Sequence, residues 1–398
     1  MISDKMSKSL QAAICIRDIF EEGKKLADIY GKENIFDFSI GNPNVEPPAI
    51  VNESMIEILK TEKPLALHGY PSNIGHPDVR AKVAEYLNET YKTDYTFENI
   101  AMTSGAAAAL VLISNTFLDI SDEVITFSPY FWEYKSYVES LYGKLVPALC
   151  DQKTLQPDPD TFRAAFTERT RLVFINTPNN PTGAVYTEES IRMVCDILRE
   201  KEQEYGHPIY LVSDEPYRQL AYGGIKVPYI PHFYKNTLVV YSYSKALSIP
   251  GERIGYIAVG SDVDGFAEIM AGITASMRYL GYVNAPSLQQ KMLLKCVDAS
   301  VDVSQYERNR NLLYEGLTAM GYECIRPDGA FYLFFRALEE DDAKFCAEAK
   351  KELILLAPGS AFHGPGFVRA SYCVSYDVIQ RSLPAFQRLM DSYRKKEK

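Results

Sequence analysis

A chain of 398 residues is too long for one simple core, and its length predicts about two or three domains. With 46% apolar and 24% charged residues it has the composition of an ordinary globular enzyme, which excludes a disordered or fibrous chain. The net charge of −10, with no basic run before the terminal Arg394-Lys-Lys-Glu-Lys398, argues against nucleic acid as a main partner.

Seven cysteines, at 15, 150, 195, 296, 324, 346 and 373, form no C-x-x-C pair. They fit a reduced setting in which most act as small buried hydrophobes. Five histidines without metal-ligand spacing predict no zinc site. Residues 1–8 carry neither the basic nor the apolar part of a secretion signal, and no apolar stretch reaches membrane-span length, so a cytoplasmic location is expected.

From the N-terminus, residues 7–30 place Ile14, Ile16, Ile19, Phe20 and Leu26 among charges and predict one or two helices. In segment 36–48, Gly41 and three prolines stop any helix. An extended arm crossing a site and a plain linker both satisfy that pattern. Helices are expected near 49–62 and from Pro77 to about Tyr91, with Val79, Val83, Tyr86 and Leu87 on one face. From residue 99, short apolar runs alternate with helical periodicity, the signature of βαβ units. Strands are expected near 99–103, 123–127, 144–149, 171–176, 209–213, 237–241 and 254–259. The clearest helix spans 187–204, with Thr187 as N-cap and Ile191, Val194, Cys195 and Leu198 on one stripe. Seven strands with helical crossovers predict a large doubly wound α/β domain over 46–289. From about 290 the texture turns helical, then to a strand-turn-strand near 322–336. A closing helix carries Ile379, Leu383, Phe386 and Met390. Residues 290–398, joined by 1–45, are expected to form a smaller α+β domain.

Open α/β sheets bind ligands outside the carboxyl ends of their strands, so the residues just after each strand carry the functional reading. Lys245 follows the run 237–241, between Ser242, Ser244 and Arg253. A desolvated lysine is a neutral amine able to form a Schiff base, and the hydroxyls and guanidinium suit a phosphate. Together they describe a pyridoxal-phosphate site, whereas a loop lysine in water is the bland alternative. After 99–103, Gly105, Ala106 and Ala107 let backbone N–H groups approach a phosphate, or simply allow close helix–sheet packing. After 123–127, the stretch Tyr130-Phe-Trp-Glu-Tyr134 offers an aromatic to stack on a planar ring, although at least two of its four rings suit the core. The loop Asn176-Thr-Pro-Asn-Asn-Pro-Thr-Gly183 is rigid, and Asn180 can donate to a ring oxygen. Asp214 ends a buried strand, where a carboxylate is costly without a cation such as a protonated pyridine, unless it only caps a helix. Arg369 sits in the apolar run Phe367–Cys373, where its fork suits a carboxylate from the protein or from a substrate.

In order and position these motifs resemble the class I/II aminotransferase family of fold-type I pyridoxal-phosphate enzymes, in particular its aspartate aminotransferase-like members. The resemblance covers nearly the whole chain. It rests above all on Ser242-x-Ser-Lys-x7-Arg253-x-Gly255 and Asn176-x-Pro-x-Asn-Pro-Thr-Gly183. Gly41-Asn-Pro, the Tyr70-Pro loop, Thr103-Ser-Gly, Ser128-Pro-Tyr, Asp214-Glu-x-Tyr217, Pro327-x-Gly-Ala-Phe-Tyr332, Pro358-Gly-Ser-Ala-Phe362 and Val368-Arg369-x-Ser371 support it.

The resemblance implies that Lys245 holds pyridoxal 5'-phosphate as an internal aldimine and then moves the proton between Cα and C4′. Asp214 keeps the pyridine nitrogen protonated, and Tyr217 and Asn180 bond the ring hydroxyl. Ser242, Arg253 and the backbone at Gly105, Ala106 and Ala107 bind the phosphate, while Phe131 stacks on the ring in preference to Trp132. Arg369 grips the substrate α-carboxylate, with Gly41 and Asn180 beside it. Tyr70 reaches the neighbouring subunit's phosphate, which implies a homodimer with shared sites.

Departures from the family pattern concern Ala106, Ala107, Asn44 and His363, and the substrate side chain. Arg218, Arg278 and Arg326 are candidates for a distal carboxylate, with aspartate one possible donor. The same motifs also host β-lyases and decarboxylases. A regulator built on a degenerate aminotransferase domain is disfavoured, because no DNA-binding module fits before residue 40 and Lys245, Asp214 and Arg369 are intact.

Overall fold

The computed structural model describes residues 2, 3, 6, 7 and 22–396. The expected helical stripe of Ile14, Ile16, Ile19 and Phe20, together with Cys15, lies outside the described residues. Residues 22–30 of that segment are helical.

Seven strands build the large sheet: β1 (Ile100–Thr103), β2 (Glu123–Ser128), β3 (Lys144–Leu149), β4 (Thr170–Asn176), β5 (Tyr210–Asp214), β6 (Thr237–Ser242) and β7 (Gly255–Val259). Each falls within a residue of its expected bounds. Their order across the sheet is β1-β7-β6-β5-β4-β2-β3, with β7 antiparallel to both neighbours and the remaining pairs parallel. Every residue of β1, β2, β6 and β7 is buried, because helices cover both faces and neither side of the pleat meets water. Alternate residues part company accordingly. Phe174 and Val212 join the helices Ala106–Phe117 and Phe266–Tyr279 on one face, while Val173 and Leu211 join Glu188–Tyr205 on the other. The last of these helices starts as its sequence dictates, with the Thr187 hydroxyl accepting from the Ser190 N–H at 3.1 Å.

The reversal of β7 positions the site. Gly255 pairs with Thr103 on one side and Ser242 on the other, so the start of β7 meets the carboxyl ends of β1 and β6. Arg253, just ahead of it, therefore stands where the β1 and β6 loops emerge.

The smaller α+β part has a three-stranded antiparallel sheet of β8 (Tyr332–Arg336), β9 (Ala357–Pro358) and the central β10 (Phe367–Ser371). The expected first arm of the strand-turn-strand reduces to a single bridge, Cys324 to Phe335. Pro327 follows too soon for a longer ladder, and its ring removes a donor. Helices Val303–Met320 and Tyr376–Lys396 cover this sheet, with Ile379, Phe386 and Met390 buried and Leu383 half-buried. The N-terminal arm joins the same part: Phe36–Asp37 pair in parallel with Ile354–Leu355, and the Ser371 N–H donates to the Phe38 carbonyl at 2.8 Å. Among the described residues no helix is long and apolar enough to cross a membrane.

Candidate active site

One cavity of about 310 Å³ opens at the carboxyl ends of the large-sheet strands, between them and β10. Ala106, Ala107, Phe131, Asn180, Asp214, Tyr217, Ser242, Lys245, Arg253 and Arg369 all line it, with Gly41 of the arm. Gly105 stands immediately behind, and Tyr70 does not line it: that ring is 91% exposed on the surface of this chain.

Ser242 ends β6 and caps the short turn Tyr243–Ala246, which carries Lys245. Nζ of Lys245 donates to the Gly41 carbonyl at 2.9 Å, so the 36–48 segment is an arm crossing the site, not a linker. Packing around the amine pushes its pKa down to about 8, because burial disfavours the cation; the charges of Arg369 and Arg253 act in the same direction. A Cβ on Gly41 would strike the Tyr332 hydroxyl, so only glycine lets the arm pass this close.

The Ser242 and Ser244 hydroxyls are 2.8 Å apart, and Arg253 Nη1 lies 3.5 Å from Ser244 Oγ. Gly105, at φ +86°, precedes the helix 106–117, and a Cβ there would come within 2.8 Å of Arg253 Nη2. Two hydroxyls, a guanidinium and the first N–H groups of a helix thus converge on one corner, a donor set for a phosphate dianion.

Asp214 ends β5. Its Oδ2 accepts from the Tyr134 hydroxyl at 2.6 Å, while Oδ1 is buried with no hydrogen-bond partner among the described residues. Burial pushes this carboxyl up to about 7, opposed by the Tyr134 bond and reinforced by Glu215. An unmatched buried carboxylate oxygen calls for a cationic donor, and a protonated ring nitrogen is one. The residues present therefore fit pyridoxal phosphate: an anion corner, a deprotonatable lysine and a carboxylate awaiting a cation, all in one cavity.

Arg369 is the central residue of β10. Its Nη1 donates to Asn180 Oδ1 at 3.0 Å and its Nη2 to the Ser39 carbonyl at 2.6 Å, but Nε is buried without a partner. The guanidinium lies between the faces of Tyr332 and Phe362, 4.7 and 4.5 Å from the ring centroids. No carboxylate pairs with it among the described residues, so the structural ion pair is absent and a site for an anion remains.

The three arginines considered for a distal carboxylate do not reach the cavity. Arg218 is tied to Glu215 in a buried pair and donates to the Val227 and Pro228 carbonyls. Arg278 is exposed on the helix 266–279, and Arg326 bonds Asn311. Their sequence positions could not reveal this, because the partners lie on other loops.

Several site residues carried no separable signal in the sequence. Tyr134 was one ring in an aromatic stretch until its hydroxyl was seen to hold Asp214. Tyr332 donates to or accepts from the Tyr217 hydroxyl at 2.7 Å, though only its motif marked it. Trp132, Glu133 and Tyr137 also line the cavity. Burial pushes the Tyr217 and Tyr332 phenols up, so both stay protonated donors.

Residues 33–386 match the model of the family described as aminotransferase class I and II. The chain is 30% identical over 375 residues to a probable aspartate/prephenate aminotransferase of Aquifex aeolicus, covering 90% of this chain and 91% of that one. It is 29% identical over 382 residues to aromatic-amino-acid aminotransferase 2 of Thermococcus litoralis, covering 93% and 95%. A solved amino transferase from Eubacterium rectale superposes with a TM-score of 0.95 at 47% identity, covering 99% of both chains.

Proposed function

The chain belongs to the class I and II aminotransferases and is a pyridoxal-phosphate enzyme of that type, and from this premise we propose how its residues divide the work. Pyridoxal phosphate, when bound, supplies the carbonyl that receives the amino group and the ring that takes up the electron pair left at Cα. Lys245, whose burial raises the fraction of neutral amine, is the nucleophile that anchors the carbonyl and the base that takes the substrate Cα proton. Asp214, held by Tyr134, would offer its unmatched Oδ1 to the protonated ring nitrogen. The observation that carries the reading is this orphan oxygen in one cavity with a depressed-pKa lysine.

Tyr217 and Asn180 orient the ring hydroxyl, with Tyr332 fixing Tyr217. Ser242, Arg253 and the backbone of Gly105, Ala106 and Ala107 would hold the phosphate, and Phe131 would stack on the ring. Arg369 receives the substrate α-carboxylate through its unused Nε edge, and the arm at Gly41 closes over it. Tyr70, so exposed on one chain, serves the cavity of a second copy, giving a homodimer with shared sites. The domain boundaries are 46–289 for the large domain and 1–45 with 290–398 for the small one, and the location is cytoplasmic.

Single amino acids added without an acceptor to the cofactor-loaded enzyme test the reading. Stoichiometric oxo acid with loss of the visible absorption band is expected. Catalytic release of pyruvate and ammonia while the band persists would instead make the enzyme a β-lyase.

Asp214 also gives a pH dependence in the cofactor-stripped protein. Its folded pKa, about 7, lies above the unfolded carboxylate range, so between about 4 and 7 the folded state binds more protons than the unfolded one. Its contribution to stability is therefore lost as pH rises through that window. Asp214→Asn removes the term, so the variant should gain on the wild type by on the order of a few kcal/mol from pH 4 to 7 in denaturant melts. Parallel curves would show that Asp214 is not strained.

A further inference from the structure

The relatives' names span aspartate, prephenate and aromatic amino acids, so family membership leaves the side-chain class of the substrate to be read from the cavity. The cations that line it are Lys245, Arg253 and Arg369, and the roles above occupy all three. The remaining charge there is negative. Glu133, half-buried at the start of the helix Glu133–Glu139, lines the same cavity as Lys245 and Arg369. The Tyr137 hydroxyl donates to its Oε2, and no lysine or arginine pairs with it among the described residues. The nearest lysine in sequence, Lys135, is engaged by Glu139 at 2.9 Å. Trp132, Phe131 and Tyr137 are aromatic residues lining the same cavity.

An unneutralised carboxylate beside aromatic faces repels an anionic side chain and attracts a donor, above all a cation carried on an apolar stem. We propose that Glu133 sets the side-chain specificity of this aminotransferase: it favours amino acids ending in a hydrogen-bond donor, cationic or amide, and disfavours those ending in a carboxylate. The inference rests on the reading of this cavity as the amino-acid site, with Arg369 at the α-carboxylate end. It separates this chain from relatives named for aspartate, because the negative group stands where a distal carboxylate would need a positive one.

The test compares side chains of equal length on the cofactor-loaded enzyme: glutamate against glutamine and ornithine, and aspartate against asparagine, in single-turnover half-reactions. The wild type is expected to favour the donor-ended member by about tenfold or more, as one like-charge contact within the cavity predicts. Glu133→Gln should narrow that ratio by about tenfold, and Glu133→Lys should reverse it. A second readout needs neither turnover nor a variant. By calorimetry the wild type should bind 5-aminopentanoate, a zwitterion, more tightly than glutarate, a dianion of the same span.

Preferential use of aspartate or glutamate by the wild type, with the ratio unmoved in Glu133→Gln, would overturn the proposal. So would tighter binding of glutarate than of 5-aminopentanoate. Should no amino acid be converted while 5-aminopentanoate binding still weakens in Glu133→Gln, the aminotransferase roles would fall and the specificity of Glu133 would stand.

Discussion

Lys245→Ala is expected to abolish the visible absorption band of the cofactor-loaded enzyme and to lower turnover by at least about 10⁴-fold. The loss of a positioned proton carrier alone accounts for about 10²–10⁴ of that, and loss of the anchoring nucleophile adds to it. A lysine with a pKa near 8 has about two orders of magnitude more neutral amine at pH 7 than an exposed one, so no other lysine can substitute by charge state alone. The variant should fold normally, because among the described residues Nζ hydrogen-bonds to the Gly41 carbonyl alone, which water can satisfy. An absorbance scan and a melting curve on the same preparation decide the matter. Full activity in a folded variant would remove Lys245 from the reaction.

Arg369→Ala is expected to raise KM and lower kcat/KM for every amino acid, irrespective of side chain, by about 10²–10³-fold. That is the usual range for losing one partner of a desolvated charge pair. The variant also strips Asn180 Oδ1 of its Arg369 donor, which is expected to loosen the 176–183 loop. Arg369→Lys should recover little, because an ammonium cannot reach Asn180, Ser39 and a substrate in one plane. The uniformity across substrates distinguishes this role from that of Glu133, whose variants should change the ratio between side chains. Unchanged kinetics would place the carboxylate site elsewhere.

Much of this could be read from the chain alone, and for identifiable reasons. Buried strands such as 123–128 and 237–242 are continuous apolar runs bounded by turn residues, and a helix like 188–205 announces itself by its cap and stripe. The residues that follow each strand had to be near one another once the strands were parallel, so Asp214, Lys245 and the 176–183 loop were legible as a set. The short arm at 322–326 was not legible, because a few apolar residues before a proline satisfy a strand pattern without a partner to pair with. The fate of Arg218 was equally hidden: its buried pairing with Glu215 and two carbonyls depends on where the 227–228 loop passes.

Local residue chemistry thus determined the element types, the choice of Lys245 as the candidate reactive lysine and the family, since those depend on periodicity, capping and spacing along the chain. Tertiary structure alone decided what depends on direction and distance. It reversed β7 so that Arg253 meets Gly105 and Ser244, and it left Asp214 Oδ1 and Arg369 Nε without partners. It also turned Glu133 into the cavity that Lys245 and Arg369 line. A side chain's partners come from segments far away in sequence, and which face of a short helix meets a cavity is fixed only when the rest of the core has packed around it.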